Sequence, residues 1–367
     1  MKYKIIDNLK LKKKRVLLRV DLNTEIINNN PVFSERFKAH LKTIEELLKK
    51  QAKVVVLAHQ GRKGKKDFIS LKKHSKLLKI NFINDIYGKK AINAIKKLKF
   101  GEALLLENVR FSKEEFNKNY KKNKMLKALA PHFDYFINDA FSVSHRDETS
   151  ITGFPKVLSS AIGRVMENEL KHINKIKLKN TLYILGGIKP EDIKLLLDNH
   201  KILSTGIFSL LTLKSKGVKF GAQDKKLSSM PRIKKLKNIK TPIDFAIEVK
   251  GKRKEISIKD LPTKYPILDI GPKTIKEYSK IIKNSKSIFF KGAAGVYEKN
   301  QFSKGTKELL KSIEESKAFS VIAGGSANNA IKRFKIKRNK INYVSLSGGA
   351  LIYYIAGKKL PGLEAIK

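Results

Sequence analysis

Short apolar runs that break into polar or glycine-bearing segments alternate along this chain with stretches whose apolar residues recur every three or four positions. Arg15–Asn23 (RVLLRVDLN), Lys53–Arg62 (KVVVLAHQGR), Glu102–Phe111 (EALLLENVRF) and the start of Asp134–Pro155 (DYFINDAFSVSHRDETSITGFP) read as strands. Between the first two, residues 35–50 carry Phe37, Leu41, Ile44, Leu47 and Leu48 at helical spacing. Strands separated by helices imply right-handed crossovers and a mainly parallel sheet. From Pro155 to Lys179, Leu158, Ile162, Val165, Leu170 and Ile173 recur at helical intervals, which predicts one long amphipathic helix leading out of this first lobe. A second series follows at Thr181–Asp192, Lys201–Gly206, Pro242–Val249, Pro266–Gly271, Ser287–Gly295, Phe319–Ala330 and Asn342–Ile355. The first runs into Gly186-Gly187, and five of the others end in glycines.

A chain of 367 residues buries a large core but exceeds one ordinary domain, so two lobes are expected. With 41% hydrophobic residues and no long polar tract it reads as globular. The absence of cysteine removes disulfides, thiolate zinc sites and cysteine nucleophiles together. The first residues, MKYKIIDNLKLKKKRVLL, hold no apolar stretch long enough for a signal sequence or a membrane span, so a cytoplasmic protein with no membrane partner is expected. The net charge of +47 raises nucleic-acid binding. The lysines, however, are spread over the whole chain rather than gathered in one tail or helix, which reads as compositional bias. Only eleven of the 80 basic residues are Arg. Where Lys is the habitual cation, an Arg marks a place where a planar fork is wanted.

That economy gives the strand ends their meaning. The C-terminal ends of parallel strands share one edge, so polar groups placed there should converge. Arg62, Arg110 and Arg146 lie at such ends, and Arg36 lies before the first helix. A cradle for a polyanion is the favoured reading over four surface arginines, each with a local carboxylate. In the second series, glycine after a strand lets backbone N–H groups approach phosphate at a helix start. No G-x-x-x-x-G-K-[ST] and no well-placed G-x-G-x-x-G is present. One lobe gathers Arg and the other Gly, which suggests a polyanionic substrate on one side of a cleft and a nucleotide on the other.

The chain resembles the phosphoglycerate kinase family, in order, from about residue 15 to residue 365. The resemblance is carried by RVLLRVDLN, VVVLAHQGR with SLKKHSKLL, LLLENVRF, INDAFSVSHR, LYILGGIKPED, LDIGPKTI, GAAGVYE with FSKGTKEL, VIAGGSANNA and VSLSGGALIYYIAGKKLPGLEA. It implies an α/β fold of two Rossmann-like lobes, each a mainly parallel sheet flanked by helices, joined by an interdomain helix. Residues 1–155 would form a phosphoglycerate-binding lobe, 156–179 the helix, 180–344 a nucleotide-binding lobe, and 345–367 a segment packing back on the first lobe. It also implies reversible phosphoryl transfer between 1,3-bisphosphoglycerate and ADP, giving 3-phosphoglycerate and ATP with Mg²⁺, by a monomer.

Matched residue by residue, Asp21, Asn23, Arg36, His59, Arg62, Arg110 and Arg146 fall on the family's substrate-binding positions. Arg36, Lys189, Gly348 and Gly349 fall around the transferring phosphoryl group. Lys189, Lys194, Gly206, Glu298, Gly324, Gly325 and Ser326 fall on the nucleotide side, and metal ligands are unassigned. The departures gather on that second side. GGIKPEDIK has Ile193 at the second lysine position, with Lys194 one residue later. AGGS puts Ser326 where the family has a metal-holding Asp, KGAAGVYE has Lys291 for Asn, LSGGAL has Ser347 for a glycine, and STGI has Ser204 and Thr205 for two more. A working kinase with a rebuilt nucleotide site is the reading adopted. The alternatives are a pseudokinase that binds 3-phosphoglycerate as a sensor or scaffold, and, ranked last, a basic nucleic-acid-binding protein on the same fold.

Overall fold

Parallel strands covered on both faces need apolar residues at every position, which is why the runs above are nearly unbroken. The computed structural model describes residues 3–176, 180–187, 201–231, 233 and 238–366. The chain forms two units, Met1–Lys171 with Gly349–Lys367, and His172–Gly348.

The first unit contains β1 (Arg15–Arg19), β2 (Ile26–Ile27), β3 (Asn30–Pro31), β4 (Lys53–Leu57), β5 (Asn81–Ile83), β6 (Ala103–Leu106), β7 (Tyr135–Asn138) and β8 (Ser159–Ile162). Six of them make a parallel sheet in the order β5-β6-β4-β1-β7-β8, while β2 and β3 form a small antiparallel ribbon. The two-residue period sends alternate side chains to opposite faces. Val16, Leu18, Val54 and Val56 join Phe37, Ile44 and Leu47 of the helix Glu35–Lys49. Leu17, Val55 and Leu57 join Leu104, Leu106, Phe136 and Phe154 on the other side.

One long helix over 156–179 does not form. Ser159–Ile162 is instead the edge strand β8, paired in parallel with β7, and the helix runs Arg164–Ile173. The cause is local: the Asp139 carboxylate accepts hydrogen bonds from Val165 N–H (2.7 Å) and Met166 N–H (3.2 Å) and so starts the helix there. Leu158 and Ile162 mimic helical spacing, but Ala161 and Ile162 are buried by the sheet. Residues 177–179 lie outside the described residues.

The second unit holds β9 (Thr181–Leu185), β10 (Lys201–Ser204), β11 (Ile239–Lys240), β12 (Asp244–Val249), β13 (Lys252–Ser257), β14 (Ile267–Ile270), β15 (Ser287–Lys291), β16 (Phe319–Ala323) and β17 (Tyr343–Ser345). Its parallel sheet runs β11-β10-β9-β15-β16-β17. Pro242–Val249 and Pro266–Gly271 do not join that sheet. They supply β12 and β14 of a separate antiparallel sheet, ordered β13-β12-β14. The reason is the two-residue turn Lys250-Gly251, both with positive φ (46° and 74°), whose twist folds β13 back on β12 as a hairpin. In each unit the first strand lies inside the sheet and the chain later crosses to its other side, leaving a switch point at the ends of β1 and β7 and at those of β9 and β15.

Candidate active site

Backbone hydrogen bonds carry the register of the first sheet past the ends of its strands. Val20 N–H donates to the Leu57 carbonyl (3.0 Å), Val109 N–H to that of Ala58 (3.1 Å) and Asp139 N–H to that of Arg19 (2.8 Å). Asp21, His59, Arg110 and Asp139 therefore leave the sheet at one edge.

The loops beyond are stitched to one another. Asn23 Oδ1 accepts from Gly61 N–H (2.8 Å), and the Asn23 carbonyl accepts from Arg36 Nη1 (2.8 Å). Arg110 Nη1 donates to the Gly61 carbonyl (2.7 Å). Gly61 has φ +69°, and an added Cβ would stand 2.3 Å from the Asp67 carbonyl oxygen, so glycine is required there. Arg110 Nη2 (3.0 Å) and Arg146 Nη1 (3.5 Å) both reach Glu148 Oε1. Arg36, Asn23, Arg110 and Arg146 thus form one connected set. The Arg62 side chain, next to Gly61, is exposed and has no partner among the described residues.

Asp21 is buried, and Arg36 Nη1 lies 2.9 Å from its carboxylate. Burial opposes its charge, but Arg36, the Ser142 hydroxyl and the Asn23 amide outweigh it and hold the carboxyl well below its usual range. His40 steadies the corner. Its Nδ1 meets Asp139 Oδ2 (3.0 Å) and its Nε2 accepts from Asp21 N–H (3.2 Å), which fixes the proton on Nδ1. The His59 Nδ1 lies 3.1 Å from Arg19 Nη2. Because Arg only donates, Nδ1 accepts and His59 is neutral; burial and the Arg19 charge push its pKa well below the ordinary value.

Arg19, His40, Glu115, Ser142 and Glu148 went unrecognised in the sequence. Arg19 carried a usable signal, since it is one of few arginines and interrupts an apolar run. It is fully buried, with Nε on Ser150 Oγ (2.8 Å), and Ser150 donates on to Glu115 (2.6 Å). Burial pushes Glu115 up to about 7, against the pull of Arg19 and with the help of Glu148. The folded state then binds more protons than the unfolded chain between about pH 4.5 and 7, so stability falls as pH rises through that window. The loss should be about 1–3 kcal/mol, read as a falling Tm, and Glu115→Gln should flatten the slope. A slope unchanged by the substitution would refute this assignment.

His145 stacks on Tyr353 (ring centroids 5.6 Å apart), Phe141 packs edge-on against Tyr354, and Gly362 N–H donates to the Ser144 carbonyl (2.9 Å). The segment after Gly349 therefore packs on the loop that follows β7, within the first unit.

On the second sheet the glycines divide into two kinds. At the ends of β9, β10 and β15, Gly186, Gly206 and Gly292 are crowded. Gly206 opens the helix Gly206–Ser215 with φ +49°, and an added Cβ would lie 2.5 Å from the Gly186 carbonyl oxygen. Gly206 N–H donates to the Ala294 carbonyl (3.1 Å) and Gly186 N–H to that of Lys291 (2.9 Å). At the ends of β16 and β17 they face open space: nothing lies within 4 Å of a Cβ added at Gly324, Gly325 or Gly348. Gly324 caps the helix Gly325–Arg333, Ser326 is exposed in its first turn, and Gly349 opens the helix Gly349–Ile355. Ser347 is buried, with its N–H on Ser345 Oγ (3.0 Å). Glu298 is exposed in a turn beyond β15, its carbonyl accepting from Arg333. Thr205 is buried and its hydroxyl has no hydrogen bond among the described residues. Lys189 and Lys194 lie outside the described residues.

A model of the phosphoglycerate kinase family matches residues 6–358. The chain belongs to that family. It is 38% identical to the phosphoglycerate kinase of Methanothermus fervidus over 401 residues, covering all of this chain and 97% of the relative. It is likewise 38% identical to that of Archaeoglobus fulgidus, covering 99% and 96%. The crystal structure of phosphoglycerate kinase from Pyrococcus horikoshii superimposes with a TM-score of 0.87 at 32% identity, covering 99% of this chain and 98% of that one. Membership of the phosphoglycerate kinase family makes the chain a phosphotransferase of glycolysis, with a carboxyl group as acceptor. Its two parallel-sheet α/β units agree with the fold expected from the sequence.

Proposed function

We propose that the first unit holds 3-phosphoglycerate or 1,3-bisphosphoglycerate through Asp21, Asn23, Arg36, His59, Arg62, Arg110 and Arg146, and that the second holds ATP or ADP. The connected set from Arg36 through Asn23, Gly61 and Arg110 to Arg146 carries this reading, because it gathers forked donors along one strand edge. Residues 1–155 are assigned to glycerate, 180–344 to nucleotide, and Gly348 and Gly349 to the transferring phosphoryl group. Gly206, Glu298, Gly324, Gly325 and Ser326 are assigned to the nucleotide, together with Lys189 and Lys194.

The chemistry asks little covalent help. The acceptor carboxylate is ionised at neutral pH, so no general base is needed. What the reaction needs is in-line placement and neutralisation of the equatorial oxygens. Arg36 supplies charge, and Asp21 and the Asn23 carbonyl hold its guanidinium in place. The amides at Gly324 and Gly325 offer donors to phosphate at a helix start. The described residues contain no cluster of three or more His, Asp or Glu fit to hold a metal ion, and Ser326 lends no carboxylate. They do not form a protein-held Mg²⁺ site, so Mg²⁺ is proposed to arrive on the nucleotide's own phosphates.

A coupled assay with ATP, Mg²⁺ and 3-phosphoglycerate should show turnover. Calorimetric binding of 3-phosphoglycerate with no binding of Mg·ADP would instead mark a silent binder. Ser326→Asp should raise Mg·ADP affinity by about tenfold, since a carboxylate is the better Mg²⁺ ligand. No gain would place the metal elsewhere, with Asp192, outside the described residues, the next candidate. No helix among the described residues is long and apolar enough to cross a membrane. A cytoplasmic monomer is proposed.

A further inference from the structure

Two buried polar atoms in the arginine cradle have no hydrogen-bond partner among the described residues: Arg110 Nε and Glu148 Oε2. They belong to one ion pair. Glu148 Oε1 takes Arg110 Nη2 at 3.0 Å and Arg146 Nη1 at 3.5 Å, so two guanidinium groups converge on a single oxygen. That is how the same forks would hold an oxygen of an anionic ligand. Both ends are held in place. The Glu148 carbonyl accepts from Ile151 N–H (2.8 Å) and Thr152 N–H (2.9 Å), and Arg110 is anchored on the Gly61 carbonyl. Among the described residues the Glu148 carboxylate hydrogen-bonds only to these two arginines, with Arg19 and Glu115 acting on it through charge alone.

Resting on the substrate reading above, we propose that Glu148 is an internal stand-in for the ligand's anionic group, which the glycerate ligand displaces from Arg110 and Arg146. The tethered carboxylate keeps two converging cations neutralised when no ligand is bound. It also sets specificity. A small free anion has little besides the two arginines to bind, and it competes against a group held at high effective concentration. A phosphorylated glycerate also engages Asp21, Asn23 and Arg36, so it can take the arginines over. Glu148 thereby raises the threshold for anions that lack the rest of the substrate.

Glu148→Gln keeps the shape and removes the charge. It should lower KM for 3-phosphoglycerate at least about threefold and lower the inhibition constant of inorganic sulfate by at least as much. A merely structural role for Glu148 would loosen the cradle and move both constants upward. Upward or unchanged constants, in a variant with a normal Tm, overturn the proposal. If the Gln variant fails to fold, Glu148→Asp, which withdraws the charge by one methylene, should show the same two shifts, and their absence overturns the proposal. Wild-type turnover with unmoved variant constants defeats the stand-in alone. Wild-type protein that neither binds nor turns over 3-phosphoglycerate defeats the substrate reading, and the stand-in with it.

Discussion

Arg36→Ala should lower kcat by roughly a thousandfold or more while changing 3-phosphoglycerate affinity far less. Arg36 sits not before the helix Glu35–Lys49 but in its first turn, with Nη1 shared between the Asn23 carbonyl (2.8 Å) and Asp21 (2.9 Å). Those contacts fix the fork before the reaction begins, so in its proposed role its charge would meet the phosphoryl group without reorganisation. Arg110 and Arg146 are proposed to hold ligand in the ground state as well as during transfer, so their loss should appear more strongly in KM. The substitution also removes the charge that keeps Asp21 ionised in its buried position. A depressed carboxyl stabilises the fold above its unfolded pKa, so part of that stability should be missing at neutral pH, about 1–3 kcal/mol. Steady-state kinetics beside thermal unfolding separates the two effects. A kcat within tenfold of wild type would remove Arg36 from the transfer step.

The two kinds of glycine should respond oppositely to alanine. At Gly206 the added Cβ would meet the Gly186 and Ala293 carbonyl oxygens at 2.5 and 2.6 Å, and φ is +49°. Backbone atoms on both sides cannot yield cheaply, so Gly206→Ala should cost about 3 kcal/mol or more and lower Tm. At Gly325 nothing lies within 4 Å and φ is not in the left-handed region. Gly325→Ala should leave Tm unchanged or slightly raised, because Ala favours a helix. Its cost should fall on ligand instead, with Mg·ADP affinity down about tenfold where the methyl group blocks approach of phosphate to the amides. A variant at 325 that binds Mg·ADP like wild type would mean that the open glycines face no phosphate. A variant at 206 with normal Tm would mean that the crowded loops are not packed as described.

Much of this was legible in the residues. The buried strands announced themselves because a sheet covered on both faces tolerates few polar positions, and β1, β4, β6 and β7 fall inside the expected runs. Arg36, Arg110 and Arg146 stood out because the chain uses Arg sparingly. The misreadings share a cause. β8 is short and half-exposed, so its two buried residues, Ala161 and Ile162, fitted a helical pattern as well as a strand. β12 and β14 look like any apolar strand, and the hairpin turn after Val249 sends them to a sheet of their own.

Glu148, Glu115 and Arg19 show where local pattern stops. A carboxylate two residues after Arg146 looks like an ordinary loop residue. It becomes part of the cradle because Arg110, 38 positions earlier, reaches it from another strand end. Arg19 meets Ser150 across 131 positions and His40 meets Asp139 across 99. Residue type and periodicity settle which segments are buried and which chemistry each strand end carries, since those depend on near neighbours and on water. The order β5-β6-β4-β1-β7-β8 settles which ends become neighbours. That order follows from burying the whole sheet at once, a free energy shared by every strand and legible in none of them separately.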